Sequence, residues 1–260
     1  MHIPDAILPP QIYLGGYAVT GLLTWYSLKK INKQGNPAPQ IPKAALLTAA
    51  FFVGSAIPVP IPPTSVHLVL NGFLGVVLGY FAFPAILIGL FLQALMLGHG
   101  GLTTIGVNAA MMGIPALLSY HIFQLRYAFG KRSHTPFSTG TFAFLGGFLG
   151  LVLATLIFVG LVVTTISADF DAGAERTAVM TLLIAHLPLA ILEGGFTAML
   201  AVFLQRVKPE LLTQKASPAM TPPSAQQASR EHGSKAYDSK DQRHQEQEPQ
   251  ETVQEMSRWQ

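Results

Sequence analysis

Seven predominantly apolar stretches run through the first four-fifths of the chain: residues 11–30, 43–58, 66–83, 84–98, 104–125, 139–167 and 177–206. A helix that crosses a bilayer needs roughly 20 mostly apolar residues, so each stretch predicts a spanning helix, some short and some long enough to tilt. Proline and glycine clusters separate them: Gly35-Asn36-Pro37, the run from Pro58 to Pro63, and Gly98-His99-Gly100-Gly101. Proline cannot donate to a helical ladder and glycine loosens it. The pair of stretches around Phe83-Pro84 also reads as one broken helix. The pattern predicts an all-α integral membrane protein with about seven transmembrane helices over residues 11–207, preceded by a short lead, 1–10.

From Lys208 the pattern changes. Residues 208–260 hold 7 of the 16 Lys and Arg and 8 of the 13 Asp and Glu, with few apolar side chains and a Gln-rich low-complexity end. Such a segment cannot bury enough surface to offset its ordering entropy, so it reads as a disordered tail. For the whole chain, 50% hydrophobic and 11% charged residues with a mean hydropathy of +0.42 exclude an ordinary soluble domain. Cysteine is absent, which excludes thiolate metal sites, disulfides and a cysteine nucleophile.

Lys and Arg set the expected orientation. Lys29, Lys30, Lys33 and Lys43 follow the first stretch, Arg126, Lys131 and Arg132 the fifth, and Arg206 and Lys208 the seventh. If the spans alternate, these loops share the cytoplasmic side, and the opposite side carries the acidic loop with Asp169, Asp171 and Glu175; Arg176 is the exception. The N-terminus is expected outside and the C-terminus in the cytoplasm. His2, His67 and His99 then meet on the outer face, although charge placement made no use of them.

That convergence points to metal chemistry. If the initiator methionine is retained and unblocked, the Met1 amine, the His2 amide and the His2 Nδ1 can close two fused chelate rings. Nitrogen donors in a plane suit Ni(II) or Cu(II). No basic segment precedes the first apolar run, so a cleaved secretory signal is not expected. His67 supplies a fourth nitrogen, or else rests as an interfacial ring among headgroups. Thr64 or Ser65 is expected to cap a helix that His67 opens, which would place Asn71 on the same face to orient that ring or to bridge to another helix. His99 reads as a supporting residue or as a helix-end histidine. Thr103, Thr104 and Asn108 offer polar contacts nearby. His186 and Glu193 lie seven apart in the last stretch, and an ionisable group at membrane depth is a functional candidate; Glu193 reads equally as a group that satisfies neighbouring helix ends. His121 and His134 fall on the cytoplasmic side. Small residues such as Gly72, Gly75, Gly146, Gly147 and Gly150 fit close helix packing. No phosphate-binding Gly-Lys-Ser/Thr loop occurs, so this chain does not hydrolyse ATP by that machinery.

Taken together, Met1-His2-Ile3-Pro4-Asp5 with Leu8-Pro9-Pro10, Ser65-Val66-His67-Leu68-Val69-Leu70-Asn71-Gly72, Gln93-Ala94 leading into Gly98-His99-Gly100-Gly101-Leu102-Thr103-Thr104, and Leu187-Pro188 with Glu193-Gly194 resemble the CbiM/NikM family. Its members are substrate-binding membrane subunits of cobalt and nickel energy-coupling-factor transporters. The resemblance spans about residues 1–206. It implies a seven-helix fold in the cell (inner) membrane, capture of Ni²⁺ or Co²⁺ as transported substrate, and ligation by Met1, His2 and His67. It implies no resident cofactor, no enzymatic activity and no nucleic acid. Its implied partners are a transmembrane coupling subunit, a small accessory transmembrane subunit and an ATPase. The residues before His67 are closer to the nickel-type members. A stand-alone secondary transporter using His186 and Glu193, and a membrane scaffold acting through the tail, are the alternatives.

Overall fold

The computed structural model describes residues 2–5, 8–61, 64–128, 135–165 and 172–212. The expectations for Met1, Lys131, Arg132, His134, Asp169, Asp171 and the tail beyond Leu212 lie outside the described residues.

Helix α1, Pro10–Lys33, starts where Pro10 takes the first helical position, in which its missing N–H costs nothing. A 3-10 turn at Ala38–Gln40 leads into α2, Ile41–Ala56. The proline-rich run that follows is more than a break. Strands β1, Pro58–Ile61, and β2, Thr64–His67, pair antiparallel, with Pro58 opposite His67 and Pro60 opposite Ser65. Prolines are tolerated there because a two-stranded ribbon has only edges. Beyond it come α3, Asn71–Leu78, a 3-10 turn at Gly79–Phe81, and α4, Ala82–Leu97. Helices α5, Ile105–Gln124, α6, Pro136–Thr165, and α7, Ala172–Val207, complete the fold.

The strand corrects one expectation. Thr64 and Ser65 lie within β2 and not at the start of a helix, and His67 ends that strand four residues before α3 begins. The entry to α3 is made by Leu70, which has φ 53° and no side-chain cap. The third apolar stretch reads as a helix from residue 66 only because β-branched and apolar residues look alike in both states.

Four apolar helical runs have membrane length among the described residues: Asn71–Leu97, Ile105–Ala128, Pro136–Thr165 and Met180–Val207. The first of these is not a straight rod. Its 27 residues would span about 40 Å as one helix. Yet His67, just before it, and His99, just after it, lie with ring centroids 5.1 and 6.3 Å from that of His2. The chain reverses at Gly79–Phe81. Tyr80, in that turn, packs against Tyr26, Tyr120 and His121, with the Lys30 ammonium 5.9 Å from its ring centroid. Those partners sit at the C-terminal ends of α1 and α5. At the other end of α1, Tyr17 and Thr20 donate to the carbonyls of Leu102 and Gly106. The bundle therefore has a histidine end and a lysine end, with α3 and α4 as its descending and returning limbs.

Helix α5 is the central post: it packs against α1, α3, α4 and α6, and most of its residues are buried. Leu14, Leu22, Trp25, Leu46, Ile184 and Leu192 are exposed on other helices, an apolar exterior that suits lipid. Close approach is bought with small residues. A Cβ on Gly75 would stand 2.0 Å from the Ala116 carbonyl oxygen, and one on Gly72 would stand 2.7 Å from Gly147 Cα. With no hydrophobic drive between helices in lipid, such contacts carry the packing.

Candidate metal site

Residues 2–5 run back over the histidine end and are pinned there by main-chain and side-chain bonds. Asn108 does most of it. Its Oδ1 accepts the Ile3 N–H at 2.9 Å, and its Nδ2 donates to the Ile3 carbonyl at 3.0 Å. The Thr104 hydroxyl donates to the same carbonyl at 2.7 Å. Ile3 and Leu8 pack with Val107 in a small buried cluster. Asp5 accepts from the Thr103 N–H at 2.9 Å, the Thr103 hydroxyl at 2.5 Å and the Leu102 N–H at 3.2 Å. These bonds, the Thr103 hydroxyl foremost, hold the Asp5 carboxyl below its usual range. Gly101 makes room for it: a Cβ there would fall 1.9 Å from Asp5 Oδ1.

This brace delivers the His2 ring between His67 and His99. Burial foremost, then neighbouring positive charge, lowers His2 to about 2 and His67 to about 4. Both rings are thus kept neutral, the form that binds a metal. His67 Nδ1 lies 3.2 Å from the Leu68 carbonyl. His186 stands close enough to oppose charging of His67, and its Nδ1 donates to Leu182 O at 2.8 Å.

Behind His67 lies Glu193 of α7, 1% exposed. One carboxylate oxygen accepts the Val69 N–H and the other accepts the Leu70 N–H, the latter at 3.1 Å. Glu193 therefore holds the main chain just ahead of α3 from another helix, at the place where Leu70 turns left-handed.

Of the residues singled out in the sequence, His2, His67 and His99 come together, Thr103 anchors the lead that carries His2 by binding Asp5, and Glu193 holds the segment between His67 and α3. Asn71 turns elsewhere. Its Nδ2 donates to the carbonyls of Met112 and Gly150, and its Oδ1 accepts the Gly72 N–H. It bridges helices and does not orient His67, because α3 starts too late to place the two on one face. The left-handed glycine that ends α4 is Gly98, ahead of His99. Gln93 and Ser55 escaped notice as site residues. Gln93 is completely buried and stands out as the polar side chain in an otherwise apolar α4, a signal that was available.

Among the described residues, no three His, Cys, Asp or Glu side chains are placed to hold a metal ion by themselves. Two imidazoles at this end would need main-chain nitrogen to complete a coordination sphere.

The sequence profile of the CbiM family, described as the cobalt uptake substrate-specific transmembrane region, matches residues 2–211. A protein of Haemophilus influenzae described as a metal transport protein is 31% identical over 221 residues, covering 82% of this chain and 98% of that one. A fused nickel transport protein, NikMN, of Rhodobacter capsulatus is 33% identical over 232 residues, covering 84% of this chain and 66% of the fusion. The cobalt transport protein CbiM of Sorangium cellulosum is 30% identical over 228 residues, covering 82% and 94%. Two crystal structures of a transition metal transporter, one of them truncated, superpose with TM-scores of 0.68 and 0.66, each at 26% identity. They cover 85% and 79% of this chain, and 100% and 99% of their own.

Proposed function

This chain belongs to the CbiM family of membrane metal-transport proteins, and from that premise we propose that it captures Ni²⁺ or Co²⁺ at the histidine end and serves as the substrate-binding subunit of an ATP-driven energy-coupling-factor importer. The observation that carries this reading is the pair of neutral imidazoles, His2 and His67, with ring centroids 5.1 Å apart on two braced segments. Nitrogen donors lie about 2 Å from a bound transition metal, so a cis pair sits about 3 Å apart, within reach of these rings by small rotations. The His2 amide nitrogen and, where Met1 carries a free amine, that amine would complete a plane of nitrogens. Such a plane suits nickel. Binding would release protons, because the amide must lose its own.

On this reading the chain makes about seven passes, the short α3 with the 68–70 segment that leads into it forming one limb and α4 the next. The histidine end faces outward and the lysine end faces the cytoplasm. Lys29, Lys30, Lys33, Lys43 and Arg126 support that orientation by the charge bias of membrane proteins. The coupling subunit, the accessory subunit and the ATPase would be separate partners, and the absence of a phosphate-binding loop in this chain is in keeping with that. A stand-alone relay through His186 and Glu193 draws less support, because both Glu193 oxygens are engaged by backbone N–H groups.

Calorimetry on the purified protein tests the site. His2→Ala and His67→Ala are each expected to abolish tight Ni²⁺ binding, whereas His121→Ala, at the opposite end, leaves it unchanged. Wild-type affinity in both site variants would sink the proposal. Metal flux into liposomes by this chain without an ATPase would favour the relay.

A further inference from the structure

Two buried polar atoms meet at the His2 ring. Among the described residues, His2 Nε2 and Gln93 Oε1 are both fully enclosed, and neither completes a hydrogen bond of regular geometry. They belong to groups that already interact, since the Gln93 amide lies against the His2 ring. An enclosed donor or acceptor without a partner costs about 1–3 kcal/mol, so two complementary ones side by side call for an explanation.

The orientation of the Gln93 amide follows from its other neighbour. Ser55, at the end of α2, donates its hydroxyl to the Phe51 carbonyl at 2.7 Å. That leaves the hydroxyl oxygen as an acceptor, and the Gln93 Nε2 donates to it. The NH₂ end of the amide is thereby committed to Ser55. The carbonyl end, Oε1, can only accept. A histidine that ligates a metal through one nitrogen commonly donates its other N–H to a carbonyl or carboxylate, which fixes the tautomer and the ring plane.

We infer that Gln93, oriented by Ser55, accepts the Nε2–H of His2 and so holds the tautomer that leaves Nδ1 free for the transported ion. Gln93 is a positioning residue, reaching the ion through His2. The inference rests on the metal-capture reading above, but it also concerns the metal-free chain, where it can be tested separately. The bond runs from α2 through α4 to the lead segment, so it ties the His2 ring to the membrane helices independently of the Asn108 brace on Ile3.

The test uses the full chain in detergent with ¹⁵N-labelled histidine, His2 being assigned by its loss in His2→Ala. In the metal-free wild type, the His2 nitrogen shifts are expected to report an Nε2-protonated ring. Gln93→Leu, similar in size but unable to accept, is expected to give mixed tautomers and to weaken Ni²⁺ binding 10- to 100-fold, roughly the range for loss of a ligand's supporting partner. Gln93→Glu retains an acceptor and is expected to keep the tautomer and stay within a few-fold of wild-type affinity. Ser55→Ala frees the amide to flip and is expected to fall between; it carries the test if Gln93→Leu does not fold. An unchanged His2 tautomer in Gln93→Leu, or in Ser55→Ala where that variant stands in, overturns the inference. A tautomer that shifts as expected in a chain that binds no Ni²⁺ would instead overturn the capture reading and leave this one standing.

Discussion

Glu193 shows what one side chain does at this end of the bundle. Replacing it with alanine strands two enclosed N–H groups, each costing about 1–3 kcal/mol. Glu193→Ala is therefore expected to lower the thermal midpoint in detergent and to loosen His67, and Glu193→Gln, which keeps one acceptor, to lose about half as much. Gly101 is a second sensitive point. Gly101→Ala would drive a methyl into Asp5, and is expected to weaken Ni²⁺ binding at least tenfold while the rest of the bundle melts as before. The buried rings add a pH dependence to the metal-free protein. Unfolded histidines take up protons below about pH 6.5, whereas folded His67 does so only near 4 and His2 near 2. The unfolded state thus binds more protons over that interval, and stability is present above pH 6.5 and lost as pH falls toward 4. Melting curves at pH 7.5 and 5 are expected to show the drop, and His67→Phe to show less of it.

At the scale of elements, the hairpin of β1 and β2 and the limbs α3 and α4 act together. The ribbon carries His67 at its last residue, the 68–70 segment, which ends on left-handed Leu70, is clamped by Glu193, and α3 then descends along α5 and α6. Gly75 is where that descent is tightest, against the Ala116 carbonyl. Gly75→Val is expected to push α3 from α5 and lower the thermal midpoint by several degrees, whereas Gly15→Val, with open space around it, leaves the midpoint unchanged. Equal midpoints would mean that α3 is not seated on α5 as described.

For the whole molecule, the proposed capture of metal depends on the polarity of its two ends. The chain contains no cysteine, so single introduced cysteines report orientation directly. Leu102→Cys at the histidine end is expected to react with a membrane-impermeant maleimide on intact cells, and Gln34→Cys at the lysine end to react only after lysis. The reverse pattern would place the proposed metal site on the wrong face.

Much of this was legible along the chain. Apolar length and the spacing of Lys and Arg are properties of local sequence, and they marked most of the helices and a common end for His2, His67 and His99. The hairpin was not legible, because a proline-rich run and a β-branched run carry the same signals as a helix break and a helix start. Nor were the duties of Gln93 and Ser55; for Asn71 and Glu193 a helix bridge and a helix-end partner were among the readings open, but the groups they would meet were not legible. Each is a polar group in an apolar helix, and what it bonds depends on where helices distant in sequence cross. Asn71 met α5 and α6, Glu193 met the main chain before α3, and Gln93 met Ser55. Linear pattern says that a buried amide or carboxylate must find partners; which partners it finds is set by packing.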